Sequence, residues 1–295
     1  MTPRSLGLAG RPRLVVALVA VVLVTLPAAA WAAFTATTTN AGDSLTAAST
    51  YRPGGKLYAS GDGKAGQTGA INLSGYLAPQ QVGAATTWGP TAAGNEHVCD
   101  VRTDGTLWCW GFGAVGRLGL GDELSQSAPT QVGALTTWST VGAGTGYACA
   151  TRTDGTLWCW GDNYRSQLGL GDTTFRLTPV QVGAATTWSK VDAGETHTCA
   201  TRTNGTLWCW GGNSNGQLGL GDTTDRSTPV QVGAVTTWSK LGLGYFHTCV
   251  IRTAGSLWCW GSNSIGQLGL GDQTDRTSPV QVGRASCRER VSYHV

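Results

Sequence analysis

The stretch Gly-Thr-Leu-Trp-Cys-Trp-Gly at 155–161 decides the fold of this chain of 295 residues. The same residues stand at 105–111 and 205–211, and Gly-Ser-Leu-Trp-Cys-Trp-Gly stands at 255–261. The copies are spaced by 50 residues, and the residues between them recur as well. A period of this length is typical of a repeat architecture, in which each repeat packs against its neighbours.

The pattern within one period predicts four short strands. In the third full copy they are 187–191, 197–203, 206–210 and 229–232. Pro229 suits an edge strand, where its missing N–H breaks no ladder. Four short antiparallel strands, repeated radially, make a β-propeller blade. The sequence therefore predicts an all-β fold, a β-propeller of four-stranded blades with about 50 residues per repeat.

The N-terminal segment 1–33 has the layout of a secretory signal peptide. Three Arg and no acid precede an apolar run over 14–30, and small residues follow. The run is short for a membrane span, so we expect export with cleavage, and an uncleaved membrane anchor is the alternative. Residues 34–48 are rich in Thr and Ala and are expected to be a spacer.

The repeats are expected to span 49–283. Their first period, 49–98, keeps several glycines and Trp88 but replaces both Cys and both Trp of the signature. A divergent first unit is typical of a terminal, capping repeat. Residues 284–295 depart from the repeat and are similar to a translated sequencing-adapter read-through. We therefore expect this tail to be non-native.

The charge of the chain excludes one class of partner. The formal net charge is +3, but basic residues of the two ends supply it, and between 34 and 283 the chain has 14 basic and 16 acidic residues. A nucleic-acid-binding protein usually has a basic face. Lys and Arg form no cluster along the repeats, so no nucleic-acid partner is predicted.

Eight Cys form pairs whose members are ten residues apart: Cys99 and Cys109, Cys149 and Cys159, Cys199 and Cys209, Cys249 and Cys259. A three-residue turn at 153–155 would set Cys149 opposite Cys159 on adjacent strands, at a separation that suits a disulfide. Export would supply an oxidising compartment. A metal site is the rival, but the spacing lacks the close ligand pairs of zinc motifs. Four disulfides are therefore predicted.

No residue pattern predicts catalysis or a bound metal. His97, His197 and His247 share one repeat position, but Tyr147 fills it in the second full copy and breaks a ligand set. The Asp after each Leu-Gly-Leu-Gly is expected to cap a turn, with calcium as a weak alternative. The sequence has no Gly-x-Ser-x-Gly elbow and no P-loop. We therefore expect a non-enzymatic protein without catalytic residues, metal or cofactor.

The paired Trp of each signature, such as Trp158 and Trp160, lie on one face of their strand. Sheet faces in a propeller pack against the next blade, and a buried Trp removes a large apolar area from water. Most of these Trp are therefore predicted to form the core between blades. A platform that stacks on sugars is the alternative.

A family resemblance rests on these motifs. Leu-Trp-Cys-Trp-Gly, Gly-Gln-Leu-Gly-Leu-Gly-Asp at 216–222 and 266–272, Pro-Val-Gln-Val, and Ala-Gly-x-x-His-x-Cys-Ala at 193–200 resemble the regulator-of-chromosome-condensation repeat. The resemblance covers about 49–283. It implies a seven-bladed propeller, and in that family the shared His sits in a structural turn.

The resemblance also implies a choice of functions. Members act as guanine-nucleotide exchange factors for a nuclear GTPase, as chromatin binders, or, in secreted bacterial forms, as binders of proteins that include β-lactamases. This chain has fewer than five repeats, an export signal and paired Cys. It resembles the secreted bacterial type, in which exchange activity is not expected because the nuclear partner is absent outside the cell. With fewer than seven repeats, we expect an open arc whose last blade exposes Trp258 or Trp260.

The main functional hypothesis is a secreted or envelope-bound scaffold of a bacterium that binds a protein partner without catalysis. The positions that differ between repeats are 95–97, 145–147, 195–197 and 245–247, with 112–117 and 162–167. They lie in loops or at strand ends, where repeat proteins bind, although neutral drift would produce the same variation. The candidate binding residues are Phe112, Tyr147, Tyr164, Arg165, Glu195, Tyr245 and Phe246.

Two other functions stay open. A cell-envelope polysaccharide binder or an enzyme would use the Trp and Asp side chains to contact a sugar. Guanine-nucleotide exchange rests on fold analogy alone. A membrane contact is expected only through an uncleaved signal segment.

Overall fold

The computed structural model describes residues 55–69 and 75–283. The expectations for the signal segment 1–33, the spacer 34–48 and the tail 284–295 lie outside the described residues. Within them the chain is all-β, with one short 3₁₀ turn at Ala114–Gly116. No helix in this part of the chain is long and apolar enough to cross a membrane.

The described strands form one two-stranded and four four-stranded antiparallel sheets. The two-stranded sheet consists of β1 (Tyr58–Gly61) and β2 (Tyr76–Gln81). Blade 1 consists of β3 (Thr91–Ala93), β4 (His97–Val101), β5 (Leu107–Gly111) and β6 (Gln126–Gln131). Blade 2 consists of β7 (Trp138–Ala143), β8 (Tyr147–Arg152), β9 (Leu157–Gly161) and β10 (Arg176–Gln181). Blade 3 consists of β11 (Trp188–Ala193), β12 (His197–Arg202), β13 (Leu207–Gly211) and β14 (Arg226–Gln231). Blade 4 consists of β15 (Trp238–Leu243), β16 (His247–Arg252), β17 (Leu257–Gly261) and β18 (Arg276–Gln281).

The strand order within each blade follows the chain. The first strands of successive blades, β3, β7, β11 and β15, contact one another, so they form the inner side of the arc and the fourth strands form its outer edge. Pro229 lies in such an outer strand, as predicted. That strand begins three residues before the predicted 229, because Arg226 already pairs with Gly211. The all-β propeller of four-stranded blades is confirmed.

The hairpin of the second and third strands has the predicted register. In blade 2, Arg152 N–H donates to Thr156 O at 2.9 Å, and Gly155 takes a φ of 77° between them. This turn places Cys149 opposite Cys159, and the two form a disulfide. The other three predicted pairs are also disulfide-bonded.

A Trp from each blade inserts into the blade before it. The indole N–H of Trp210 donates to the carbonyl oxygen of Gln167 at 2.9 Å, and the ring is fully buried. Gly169 lies beneath it with a φ of 72°, and a Cβ there would stand 2.6 Å from the indole nitrogen. The same contact joins Trp160 to Arg117 and Trp260 to Gln217. The predicted role of these Trp in the core between blades is confirmed.

The far side of blade 4 is uncovered in the described part of the chain. Leu207 of blade 3 is completely buried, but its counterpart Leu257 is 37% exposed. Likewise a Cβ on Gly216 would contact Thr277 of the next blade, while one on Gly266 would meet nothing within 4 Å. The arc is therefore open here. Trp258 or Trp260 was expected to be exposed here: Trp258 is half-buried, and Trp260 is fully buried because it faces blade 3.

The antiparallel order gives every blade two ends of different character. One end carries the turn between the first and second strands and the loop between the third and fourth, which in blade 2 are 144–146 and 162–175. We call this end the loop rim. The other end carries the tight hairpin, 153–156 in blade 2, and the connection to the next blade, 182–187. We call it the hairpin rim.

Candidate binding surface

The variable segments identified in the sequence analysis all lie on the loop rim. The strand register pairs the first residue of each second strand with the last residue of each third strand, as with Tyr147 and Gly161. The turn before Tyr147 and the loop after Gly161 therefore meet at one end of the sheet. The topology thus brings the variable positions 95–97 and 112–117, and their equivalents in later blades, to one rim.

Three of the predicted aromatic residues are exposed there. Tyr164 is 57% exposed, Tyr245 is 40% exposed and Phe112 is 36% exposed. Phe246 is half-buried and supports Tyr245 edge to face, with 4.7 Å between the ring centroids. Exposed aromatic side chains held by a neighbour are the groups that anchor protein interfaces.

Tyr147 is not part of this exposed surface. Its side chain is fully buried, its hydroxyl donates to the carbonyl oxygen of His197, and its hydroxyl oxygen lies 2.9 Å from Thr198 Oγ1, which donates its own hydrogen to Gln167 O. Burial raises the pKa of this phenol far above its usual range. The prediction of Tyr147 as a binding residue is wrong, because the ring packs over Gly144, where a Cβ would stand 2.3 Å from it.

The polar candidates Arg165 and Glu195 link the loops of neighbouring blades. Arg165 of blade 2 reaches blade 3, where its Nη1 lies 3.1 Å from Asp225 Oδ2. Partial burial raises the pKa of Glu195, while a hydrogen bond from Tyr245 and the charge of Arg165 oppose that rise. Partial burial also raises the pKa of Tyr164, and Glu195 adds to that rise. These four side chains therefore form one patch across blades 2, 3 and 4.

A second part of the loop rim lies beside Phe112. The guanidinium of Arg117 stands 4.9 Å from the Phe112 ring centroid, 3.6 Å from Glu96 and 3.3 Å from the carbonyl oxygen of Thr145. Phe112 and Glu96 also line an open pocket of about 510 Å³ together with Lys64 of the first, two-stranded unit. This pocket is continuous with the exposed Phe112 ring and enlarges the surface that a partner could contact.

Sequence reasoning missed some exposed apolar residues of this rim. Phe175, Leu124 and Ile265 are exposed in the loops before or after the Leu-Gly-Leu-Gly segments. Phe175 occupies the position where blades 3 and 4 have Asp225 and Asp275. The same kind of difference between copies that identified Tyr164 also marks Phe175, which lies beyond the variable segment 162–167.

The shared His residues have a structural role in the described blades. His197 is fully buried over Gly194, and its Nε2 lies 2.9 Å from Thr248 Oγ1 of the next blade. Burial, followed by the charge of His247, lowers the pKa of His197 to about 3. Among the described residues, no three His, Cys, Asp or Glu side chains are grouped so that they could hold a metal. The predicted absence of a metal and of catalysis stays a prediction.

The recurrent Asp residues cap turns, as expected. Asp172 Oδ1 accepts from the N–H of Thr174 at 2.9 Å, and its Oδ2 accepts from Arg176 at 2.6 Å. The backbone hydrogen bond, followed by the contacts with Arg176, lowers the pKa of Asp172. Asp222 and Asp272 make the same contacts in blades 3 and 4.

Known proteins share this fold at low sequence identity. The structure of human WBSCR16 matches with a TM-score of 0.69 and 22% identity over 77% of this chain and 62% of that one. Yeast RCC1 (Prp20) bound to Kap60 matches with a TM-score of 0.69 and 20% identity, over 79% and 58%. Prp20p from Saccharomyces cerevisiae, described with its binding to Gsp1p and histones, matches with a TM-score of 0.68 and 19% identity, over 79% and 60%.

The chain thus spans about three fifths of the length of these solved relatives. No curated protein matches its sequence. The family model described as the RCC1-like domain matches residues 22–294, which is most of the chain. Together with the blades and the indole contacts between them, this match shows that the chain belongs to the RCC1-like domain family.

Proposed function

We propose that this chain is an exported, non-catalytic scaffold of the bacterial envelope or surroundings that binds a protein partner on its loop rim. The proposal rests on where the repeats differ from one another in sequence. Residues that repeat unchanged lie in the core between blades, as Leu157 and Trp160 do, whereas the longest variable segments and the exposed aromatic side chains of the described chain lie on the loop rim. Repeat proteins bind with surfaces of this kind.

The patch of Tyr164, Arg165, Glu195 and Tyr245 is the proposed centre of the interface. It joins loops of three blades, so one partner could contact all of them at once. Its aromatic residues are partly supported by neighbours, which lowers the entropy lost on binding. The solved relatives described with Kap60, Gsp1p or histones have proteins as ligands. They support a protein as the class of partner here, and not those particular partners.

The experiment compares capture by matched variants. Full-length protein is immobilised and exposed to envelope and culture-medium proteins of the producing organism, and captured proteins are quantified by mass spectrometry. Tyr164→Ala with Tyr245→Ala should reduce recovery of the true partner at least tenfold, since truncation of an interface aromatic typically costs about 2 kcal/mol or more. Leu135→Ala is the control, because Leu135 is 44% exposed but lies on the hairpin rim.

The proposal fails if the aromatic double variant and Leu135→Ala recover the same proteins in the same amounts. Export is tested separately by the intact mass of protein recovered from the medium. A mass that lacks residues 1–33 is expected. Protein of full length that stays in the cytoplasm would contradict export but would not affect the test of binding at the loop rim.

A further inference from the structure

One rim of blades 3 and 4 carries basic side chains without acidic ones, whereas the basic Arg226 and Arg276 of the other rim are paired with Asp222 and Asp272. The hairpin rim of these blades carries Lys190, Arg202, Lys240 and Arg252, and its segments 182–190, 200–207, 232–240 and 250–257 contain no acidic residue. The loop rim of the same blades carries the acids, which are Glu195, Asp222, Asp225, Asp272 and Asp275. Basic residues that are far apart in the sequence therefore form one surface, which we call the basic rim.

The two Arg of the basic rim have lost an acidic neighbour that the earlier blades keep. In blade 2, Arg152 Nη2 lies 3.6 Å from Asp154 in the hairpin. Blades 3 and 4 have Asn204 and Ala254 at that position. Within the part of the chain that the structure describes, the guanidinium groups of Arg202 and Arg252 form no ion pair. Their charges are therefore available to an anion from outside.

Each of these guanidinium groups is held in place by indole rings. The Arg202 Cζ atom lies 3.9 Å from the Trp208 ring centroid and 4.7 Å from that of Trp188. Arg252 makes the same contacts in blade 4, at 3.9 Å and 4.6 Å. A stacked guanidinium loses little freedom when it binds a carboxylate or phosphate with two parallel hydrogen bonds.

Unpartnered donors stand beside the same groups. In the described structure, Arg202 Nε and the indole Nε1 of Trp188 are buried without an acceptor, and Trp188 is only 3% exposed. The equivalent atoms of Arg252 and Trp238 are also unpartnered. A buried donor without an acceptor is costly, but the same donors are unpartnered at Arg102 and Trp88, so they are a feature of the repeat and the unpaired charge is what distinguishes blades 3 and 4. Two equivalent sites in adjacent blades thus favour a ligand whose acceptor groups repeat.

The composition of the rim argues against nucleic acid as that ligand. Specific duplex binders typically neutralise about six to ten phosphates, more than this group of four cations could contact. Single-stranded nucleic acid stacks on aromatic side chains. In the described chain the exposed aromatic residues lie on the loop rim: Phe112, Tyr164, Phe175 and Tyr245. A polymer that carries a charge on each repeat unit and needs no stacking fits better.

We propose that the basic rim of blades 3 and 4 binds a linear acidic polysaccharide, whose repeating carboxylate groups pair with Arg202 and Arg252 and are attracted by Lys190 and Lys240. Lys190 belongs to this surface because its Nζ reaches the next blade and donates to the carbonyl oxygen of Ser239 at 2.6 Å. The site is independent of the loop rim, so either surface could fail its test without the other.

The test is a titration of full-length protein with fluorescent decagalacturonate. The key variant combines Asn204→Asp with Ala254→Asp, which restores the acids of the earlier blades. It should fold, because Asp154 Oδ1 accepts from Thr156 N–H and Oγ1, and Asn204 Oδ1 makes the same two bonds to Thr206. Two partly exposed ion pairs within the protein would then compete with the ligand, and we expect Kd to rise about tenfold.

A second variant and a control make the outcome decisive. Lys190→Gln with Lys240→Gln should also raise Kd, by about fivefold. Lys64→Gln with Arg165→Gln removes two charges from the loop rim and should leave Kd within twofold. The proposal is overturned if the Asp double variant binds as the parent does, if neutral maltodecaose binds as well, or if an oligothymidylate of equal charge binds more tightly than decagalacturonate.

Discussion

The indole contacts between blades allow a quantitative prediction from two nearly identical sites. Trp160 and Trp210 are both completely buried, and each donates to a backbone carbonyl of the preceding blade, at 3.1 Å and 2.9 Å. Replacing either with Phe leaves a similar void, which should cost about 2 kcal/mol. The two sites differ in what happens to the carbonyl oxygen that loses its donor.

At Trp210 the carbonyl keeps a partner. Gln167 O also accepts from Thr198 Oγ1 at 2.7 Å, whereas the equivalent of Thr198 beside Trp160 is Ala148. Trp160→Phe therefore leaves the carbonyl of Arg117 without its donor, and an unsatisfied group that is partly buried adds about 1 kcal/mol. We expect Trp160→Phe to be the more destabilising variant, with a melting temperature lower by about 2 to 4 °C than that of Trp210→Phe.

The assay is guanidinium unfolding followed by far-ultraviolet circular dichroism, with melting temperatures from calorimetry. Unfolding of repeat proteins can lose cooperativity, so midpoints are compared only if both variants keep a single transition of the parental slope. Equal losses at the two positions, or a larger loss for Trp210→Phe, would refute the reasoning that the second donor to Gln167 O matters.

Three further predictions concern the buried interior. Burial lowers the pKa of His197 to about 3. The stabilisation that comes from burying the neutral imidazole is therefore complete above pH 6.5 and is lost as the pH falls from the unfolded pKa towards 3. At pH 5 the free energy of unfolding is lower by roughly 2 kcal/mol for this reason. His197→Tyr, which copies Tyr147 of blade 2, should remove that part of the acid sensitivity in pH-dependent unfolding, and an unchanged pH profile would contradict it. Asp192 has the opposite effect, because burial raises its pKa to about 6. Its ionisation therefore lowers the stability of the fold as the pH rises from about 4 to 6. Asp192→Asn should remove this decrease from the plot of unfolding free energy against pH. Tyr147→Phe removes the hydroxyl that contacts His197 and Thr198 and should cost about 1 kcal/mol of unfolding free energy without changing partner capture; an unchanged free energy of unfolding would contradict this prediction.

The sequence predicted the blades well because their determinants are local. The turn at 153–155 sets the register that pairs Cys149 with Cys159, and alternation places Leu157 and Trp160 on opposite faces of one strand. Both inferences need only the geometry of a hairpin. The fourth strand was predicted too short, because pairing of Arg226 with Gly211 spans a bulge that residue types do not reveal.

The candidate site was predicted less well because exposure depends on neighbouring blades. Tyr147 differs from its equivalents in type, which suggested a contact with a partner, but its ring occupies the same buried space above Gly144 as His197 does above Gly194. The basic rim was missed for a related reason. Arg202 and Arg252 stand 50 residues apart, and only the stacking of adjacent blades brings them to one surface.

The central claim, that a protein partner binds the loop rim, is tested most directly by photo-cross-linking in the producing organism. A benzophenone amino acid is placed at Tyr164, at Tyr245 or at Leu135, which have comparable exposure on opposite rims. After irradiation, we expect one adduct of the same higher mass from the Tyr164 and Tyr245 positions and none from Leu135. Adducts only from Leu135, or no adduct from either loop-rim position, would contradict the claim.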